Sequence, residues 1–554
     1  MLYRLPFGTP EWDEPYYSAM PYSFLLGDRP YVDELGVWQN AGILLTPFYR
    51  IYLAIAGSAD GIILFNRYLY FAYVSVASLA AYSFVKRIAS PVTACCAGAL
   101  VATFSYFNLF ALSYNTVGAL SLFCGMLCTG CALLKPRPGP TLFGASLLFL
   151  SAIFAYPSLA VVVAVYLVIV LVWLFFKTPR AAWVNGLWGL GAGLVFALLA
   201  ASVLVVHVGR PGFQRLREFS NAMGYSGGTL AKLNVFHAVY QNWHWVPFAF
   251  AGLYLALPLA CLWLKRYTWL IALATAVGFT LCYRLSLGVF ALTAATLSVG
   301  ILPILAPVCV ALNRSWKHGP FVLALFWAPS VVSMLTVTCT SAMWYQGLAL
   351  SALGSTLAGV VSLAAYLEMR ARRTPEQRLG YQLVFVSFFV SLLVVQVHSL
   401  FASVYGEKPL PLAANDTRVR CGPMRGTRGP KAEVDFLENV DRDLKSVQEG
   451  AQTITVLDYF PAGYLSTRLR PRTFTTWIMW FFLPIGYAAE MSRVTFGSPE
   501  KLPDILLLVH MDPGAKGYYE KYVRGHYKAI IRRPEFDYVI LRKLPKPRLR
   551  RRRR

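Results

Sequence analysis

A long series of apolar segments constrains the fold of this chain more than any other feature. A transmembrane helix needs about 20 mostly apolar residues, within a working range of about 17 to 25. By this criterion we predict about twelve spans, near residues 63–85, 92–110, 117–134, 141–155, 158–176, 184–206, 247–264, 268–283, 289–311, 320–338, 346–368 and 381–403. The sequence therefore predicts a polytopic α-helical membrane protein.

Composition agrees with this prediction. Hydrophobic residues make up 57% of the chain, charged residues only 14%, and the mean hydropathy is +0.52, whereas about a quarter of the residues in soluble domains are charged. The net charge of +25 would suggest nucleic acid in a soluble protein. Here much of the Lys and Arg lies in short clusters between apolar segments, as topology signals do, so we expect no nucleic-acid partner.

The positions of the basic residues predict the orientation of the spans. Lys and Arg occur in every second connection: Lys86 and Arg87, Lys135 and Arg137, Lys177 and Arg180, Lys265 and Arg266, Arg314 and Lys317, and Arg370, Arg372, Arg373 and Arg378. These connections are cytoplasmic by the positive-inside rule. The connections 111–116, 207–246, 284–288 and 339–345 then face outward, together with the N-terminal loop and everything after residue 403. We expect a multi-pass protein of the cell membrane, with membrane lipids as its surroundings.

Residues 41–57 are apolar but short, and they contain Pro47 and Arg50. We interpret them as an interfacial helix on the outer surface rather than a span. This choice places the N-terminus outside without an exporting helix, so we expect the true start to lie upstream of Met1, with a further span.

After residue 403 the composition changes from lipid-like to mixed, which marks a domain boundary. One helical face of residues 432–448 is apolar, and four later segments have the pattern of short strands, which predicts a small extracytoplasmic α/β domain. The apolar face consists of Val434, Leu437, Val440 and Leu444, and the strands are TITVLD, DILLLVH, YKAIIRR and FDYVILRK. The predicted parts are a loop with an interfacial helix (1–62), a transmembrane domain (63–403), the α/β domain (404–545) and a disordered basic tail (546–554).

An acidic and aromatic loop, residues 12–40, precedes all the spans. It contains Asp13, Glu14, Asp28, Asp33 and Glu34. Carboxylates held together at the edge of a bilayer are costly and are often functional. For each single acid the simpler alternative is a solvated loop residue.

The order of these parts resembles a known family. Two stretches carry the resemblance: WDEPYYSAMPYSFLLGDRPYVDELGVWQNAGILLTPFYRIYLAIAG near the start and TITVLDYFPAGYLSTRLRPRTFTTWIMW in the outer domain. The chain has, in order, an outer loop with an Asp-Glu pair, a second polar motif, an interfacial helix, about a dozen spans and an outer α/β domain. This order of parts resembles that of the GT-C membrane glycosyltransferases. The branch that this chain resembles is the bacterial one similar to protein O-mannosyltransferases and the lipid A aminoarabinose transferase.

The resemblance implies transfer of a sugar from a polyprenyl-phosphate donor to an envelope glycan, lipid or protein acceptor at the outer face. It gives Asp13 the place of the catalytic carboxylate, with Glu14 beside it. The chain departs from the family at three points: Asn40 is followed by Ala41 and Gly42 instead of a Lys-Pro-Pro, Tyr114-Asn115 stands where many members have Asp, and Tyr156-Pro157 replaces a Lys-Pro. The chain therefore has no Lys at the two positions where similar proteins have a Lys-Pro-Pro or a Lys-Pro.

The chemistry of sugar transfer suggests roles for the remaining candidates. A carboxylate takes the proton of the acceptor hydroxyl, and Asp13 is the candidate base. The leaving phosphate needs a cation, for which Arg67 is placed best, with Arg50, Arg284, Arg210 and His237 as alternatives. The remaining substrate-binding candidates are Asp33, Glu34, Asn40, Asn115 and Tyr345, the last by stacking on sugar or isoprenoid.

Asp33 and Glu34 have two alternative roles. They could order the loop, or they could hold a divalent cation together with Asp13. We therefore assign no certain cofactor and keep a divalent cation as a possible one.

Two other classes of function remain open. A transporter or lipid flippase could use the acidic loop as an external gate, although transporters tend to place ionisable residues near the membrane midplane. A scaffold could bind an envelope polymer through its outer domain, although anchoring does not require a dozen spans.

Overall fold

A computed structural model describes residues 1–10, 13–35, 39–135, 137–222, 245–340, 345–402, 412–457, 460–476, 496–498, 500–511 and 524–545. The chain forms two compact units. The helical unit comprises Met1–Leu5, Asn66–Val206 and Gly227–Ala414, and the mixed unit comprises Pro6–Phe65, His207–Ser226 and Asn415–Arg554. The mixed unit thus combines the acidic loop and the C-terminal domain, which are more than 350 residues apart in sequence.

Helices account for most of the described chain. They are α1 Asp13–Leu25, α2 Gln39–Ala56, α3 Ile62–Val85, α4 Pro91–Ala102, α5 Tyr114–Leu133, α6 Gly139–Ala155, α7 Leu159–Lys177, α8 Arg180–Ala222, α9 Val246–Trp263, α10 Thr268–Gly300, α11 Leu305–Leu312, α12 Gly319–Thr340, α13 Tyr345–Arg373, α14 Arg378–Ala402, α15 Lys431–Val447 and the single turn α16 Ala462–Leu465. Among the described residues, ten segments are long and apolar enough to cross a membrane. The prediction of a multi-pass membrane protein is confirmed.

Burial within the helical unit distinguishes central helices from peripheral ones. The most apolar stretches of α13 and α5 are 94% and 89% buried, whereas that of α8 is only 11% buried. Helix α8 exposes large apolar side chains such as Val195, Leu199 and Val203. Apolar side chains exposed in such numbers are stable in contact with lipid. Helices α6 and α8 approach closely, since a Cβ atom on Gly189 would lie 2.1 Å from the carbonyl oxygen of Gly139.

Three predicted boundaries were wrong. The span 92–110 is a helix only over Pro91–Ala102, and Phe107 and Asn108 in the connection that follows adopt positive φ, which a helix does not allow. The apolar residues that follow it are buried in protein rather than in lipid. Residues 284–288 continue helix α10 instead of forming a loop. At 1.5 Å per residue this helix is about 50 Å long, so it exceeds a hydrocarbon core of about 30 Å. The predicted loop 207–246 begins as helix up to Ala222, after a kink at Gly209.

The helix predicted over 41–57 is α2, which is not among the ten candidate spans. Its buried positions include Leu45 and Tyr49, while Phe48, Ile51 and Ile55 are exposed. Buried and exposed apolar faces on opposite sides are typical of an interfacial helix.

The predicted C-terminal α/β domain is confirmed. Its strands are β1 Thr417–Arg418, β2 Arg428–Gly429, β3 Thr453–Leu457, β4 Arg470–Pro471, β5 Ile505–Val509, β6 Tyr527–Arg533 and β7 Tyr538–Lys543. The larger sheet has the order β4-β3-β5-β7-β6, parallel among β4, β3 and β5 and antiparallel among β5, β7 and β6. All five residues of the central strand β5 are buried.

Helix α15 buries the four residues of its predicted apolar face, since Val434, Leu437, Val440 and Leu444 are at most 6% exposed. Asp443 of this helix accepts hydrogen bonds from Arg533 Nε at 2.9 Å and Tyr538 Oη at 2.7 Å. The helix is thereby attached to the outer strands β6 and β7.

Candidate active site

The Asp-Glu pair of the acidic loop occupies the first turn of helix α1. The N-terminus of a helix carries a partial positive charge and stabilises nearby carboxylates. The two acids differ in burial: Glu14 is 2% exposed, whereas Asp13 is only partly buried. Pro15 is tolerated in the same turn because its missing N–H would have no partner inside the helix. Asp13 is thus the member of the pair that solvent reaches.

Helix α2 packs beside the acidic pair. Tyr49 is fully buried, and its hydroxyl donates to Ser18 Oγ at 2.8 Å. Burial raises the pKa of Tyr49, and the negative charge of Glu14 adds to this shift. Glu14 therefore faces the packing between α1 and α2, where it lies close to a buried phenol.

Arg470 of strand β4 binds two acids of the loop. Its Nε lies 2.6 Å from Asp28 Oδ1, and its Nη2 lies 3.0 Å from Asp33 Oδ2. Arg29 also pairs with Asp33, at 2.9 Å. Burial acts to raise the pKa of Asp33, but hydrogen bonds from Arg29 and the charge of Arg470 outweigh it, so the pKa is lowered. For Asp28, burial outweighs Arg470 and raises the pKa to about 6.

Glu34 is attached to the same part of the C-terminal domain. It is 2% exposed, and its Oε2 accepts from the backbone N of Thr476 at 2.8 Å and from its Oγ1 at 3.2 Å. The backbone N of Leu35 donates to the carbonyl of Phe474 at 2.8 Å. Three acids of the loop are therefore bound to residues 470–476.

The end of the loop is closed by its own polar residues. Gln39 Oε1 accepts from the backbone N of Tyr31 at 2.6 Å, and Gln39 Nε2 donates to the carbonyl of Glu34 at 3.2 Å. The hydroxyl of Tyr31 donates to Asn40 Oδ1. Tyr31 has a φ of 63°, which is strained for an aromatic residue. Asn40, a predicted substrate-binding residue, is here a buried partner of Tyr31.

In the helical unit, the predicted candidates Arg67 and Asn115 lie near one connection. Arg67 is 1% exposed, and its Nη1 donates to the carbonyl of Leu5 at 2.6 Å. The neighbouring Asn66 exchanges two hydrogen bonds with the backbone of Leu112, at 3.1 and 3.3 Å. This holds the end of α3 against the 103–113 connection that leads into α5.

Asn115 lies in the first turn of α5, which begins with a capping box between Ser113 and Thr116. Its Oδ1 is buried and has no hydrogen-bond partner among the residues described. Tyr114 stacks on Tyr156 with ring centroids 5.6 Å apart. The structure thus brings together two of the positions where the chain departs from the family pattern.

Arg4 is a buried cation that the sequence reasoning missed. It is 1% exposed, its Nε donates to the carbonyl of Leu400 at 2.7 Å, and its guanidinium lies 5.1 Å from the ring centroid of Phe110. No local sequence signal separates this residue from other basic residues near a terminus.

A polar recess in the helical unit was also not predicted. Its cavity volume is about 10 Å³, room for about one water molecule, and it is lined by hydroxyl and amide groups, among them Thr103, Asn108, Gln396 and Ser399. Asn108 Nδ2 donates to the carbonyl of Ser399 at 2.7 Å, and Thr103 Oγ1 donates to Gln396 Oε1 at 2.6 Å. These groups bond to one another, so the recess is a polar contact between the connection after α4 and helix α14.

The other predicted candidates are placed as follows. Arg50, Arg210 and Arg284 are exposed, His237 lies outside the described residues, and Tyr345 is the first residue of α13. Across the described part of the chain, no cluster of three or more His, Cys, Asp or Glu residues could hold a metal ion.

Comparison with solved structures finds a similarity to the Archaeoglobus fulgidus oligosaccharyltransferase, determined in complex with zinc and sulfate. The two share 12% identity, the match covers 93% of this chain and 67% of that chain, and the TM-score is 0.47. The similarity is distant in both sequence and coordinates. No family model matches this chain, and no curated protein matches it significantly.

Proposed function

We propose that this chain is a GT-C-type glycosyltransferase that moves a sugar from a polyprenyl-phosphate donor to a cell-envelope acceptor at the outer face of the membrane. The sequence resemblance suggests the reaction. The observation that carries the proposal is the position of Asp13, a partly exposed carboxylate at the N-terminus of a helix, beside the buried Glu14.

In the proposed step, the acceptor oxygen forms a bond to the anomeric carbon while the bond from that carbon to the phosphate oxygen breaks. Asp13 takes the proton of the acceptor hydroxyl, and the lipid phosphate leaves as an anion with the electron pair. Glu14 positions the loop and adds negative charge. Because the transition state carries positive charge on the sugar, carboxylates near it are stabilising.

The leaving phosphate requires a cation. For this role we keep Arg67, the candidate that the sequence suggests, whose Nη1 donates to the carbonyl of Leu5. A preorganised cation needs no rearrangement during the reaction. For Asp33 and Glu34 we favour the loop-ordering role, because both bind residues 470–476.

The test is turnover by the purified full-length protein with a panel of radiolabelled polyprenyl-phosphate sugars and membrane-derived acceptors. The proposal expects at least one donor to lose its sugar to a product, with release of polyprenyl phosphate. Absence of turnover with every donor, combined with transport of a lipid or solute in proteoliposomes, would overturn it in favour of a transporter.

A further inference from the structure

Helix α13 ends in a group of arginines with different surroundings. Arg372 and Arg373 are exposed, whereas Arg370 is only 7% exposed. The helix runs through the interior of the helical unit, and Arg370 is buried at its basic end. The carbonyl of Arg370 accepts from the backbone N of Thr374 at 3.1 Å and from its Oγ1 at 2.9 Å, so the end of the helix is satisfied.

The guanidinium of Arg370 is not satisfied in the same way. Its Nε and Nη2 are buried, and neither has a hydrogen-bond partner within the described part of the chain. These two nitrogens form one edge of the guanidinium, the edge that binds two oxygens of a phosphate or carboxylate. Leaving two donors of a buried cation unsatisfied is strongly unfavourable. The nearby acids Glu368 and Glu376 are exposed.

A third buried donor is also unused in the helical unit. Tyr381, from helix α14, is 1% exposed, and its hydroxyl also has no partner among the described residues. Both Arg370 and Tyr381 interact electrostatically with Tyr366, whose own hydroxyl donates to the carbonyl of Pro258 at 3.0 Å. Helices α13 and α14 thus supply three unused buried donors, two of them on a cation, in the neighbourhood of Tyr366.

The surrounding connections are basic. Lys265 and Arg266 after α9, Arg314 after α11, and Arg378 at the start of α14 are exposed. Exposed basic residues raise the local concentration of anionic groups, while a buried bidentate edge gives specificity.

We propose that Arg370 and Tyr381 bind a phosphate group, carried either by an anionic lipid or by a soluble phosphate. Both residues belong to the helical unit, whereas the acidic loop belongs to the mixed unit.

The test uses the full-length protein in a maltoside detergent, titrated separately with phosphatidylglycerol and with inorganic phosphate. Thermal unfolding and native mass spectrometry give the half-saturating concentration of each. We expect binding of one of the two to weaken about tenfold or more in Arg370→Gln and several-fold in Tyr381→Phe. The matched control Arg372→Gln removes an exposed charge two residues away and should bind as wild type does.

Saturation by phosphatidylglycerol alone would identify a lipid as the source, and saturation by inorganic phosphate would identify a soluble anion. Should Arg370→Gln fail to fold, Arg370→Lys keeps the charge but loses the bidentate edge, so it should weaken binding as well. Wild-type affinity in both Arg370→Lys and Tyr381→Phe, equal weakening in Arg370→Gln and Arg372→Gln, or no saturable binding of either probe would overturn the proposal.

Discussion

Arg470→Gln removes the cation that joins strand β4 to the acidic loop. The 2.6 Å contact of Arg470 with Asp28 involves a carboxylate that is 7% exposed and a guanidinium that is 45% exposed. A charge-assisted hydrogen bond contributes about 1.5–3 kcal/mol, and solvent screening of the half-exposed guanidinium places this one near the lower end. Asp33 keeps its contact with Arg29 and adds little. We therefore expect a loss of about 2 kcal/mol in the mixed unit.

The loss should depend on pH. Burial raises the pKa of Asp28 to about 6. Above that pH the carboxylate is charged and needs Arg470, and below it the carboxyl is protonated and needs the cation much less. The destabilisation should therefore be larger at a pH of about 7.5 than at a pH of about 5.

The assay is thermal unfolding of the full-length protein, followed by a fluorescence signal from the mixed unit. For a unit of about 150–250 residues, 2 kcal/mol lowers Tm by about 4–8 °C. Arg532→Gln, at an exposed position on β6, is the matched control and should change Tm little. In an Asp28→Asn background, Arg470→Gln should cost much less. Equal shifts in the two arginine variants, or an undiminished shift in the Asp28→Asn background, would refute the reasoning.

Three further predictions follow from the same unit. Asp28→Asn should flatten the pH dependence of Tm. Between about pH 4 and 6 the folded carboxyl holds a proton that the unfolded chain releases, so the wild type loses about 3 kcal/mol of stability as the pH rises through this window. An unchanged Tm profile in the variant would contradict this. Asp443→Asn should lower stability by about 2 kcal/mol in urea at pH 7, because it weakens contacts with Arg533 and Tyr538; an unaltered urea midpoint would contradict it. Ile51→Asp should lower the free energy of unfolding by about 1–2 kcal/mol in lipid nanodiscs, because the exposed face of α2 is expected to contact lipid. A negligible change in Tm would indicate that Ile51 faces water and would contradict the prediction.

Elements with a strong local pattern could be predicted from the sequence. The apolar face of α15 repeats at helical spacing, and the strand β5 is a continuous apolar segment with a clear turn on either side. The spans could be predicted because the bilayer imposes a fixed length on apolar segments. The break after Ala102 could not, because the aromatic residues that follow it are as apolar as a span but are buried in protein.

The attachment of the acidic loop was beyond sequence reasoning. Asp28 and Arg470 are 442 residues apart, and no local pattern selects this pair from 26 acidic and 51 basic residues. Asp13 and Glu14 were selected by resemblance, and the sequence alone gave no means of deciding which of the two would be buried. Arg4 was missed for the same reason, since its burial depends on contacts with Phe110 and Leu400, which come from distant parts of the chain.

The proposed role of Asp13 is tested most directly by sugar transfer with the purified Asp13→Asn variant. The assay uses whichever labelled polyprenyl-phosphate sugar the wild type turns over, and Asp416→Asn, at an exposed acid of the mixed unit, is the control. Loss of a general base typically lowers the rate by about 10²–10⁴-fold. We expect a fall of this size for Asp13→Asn with an unchanged Tm, and wild-type rates for Asp416→Asn. Full activity in Asp13→Asn would contradict the proposal that Asp13 is the catalytic base.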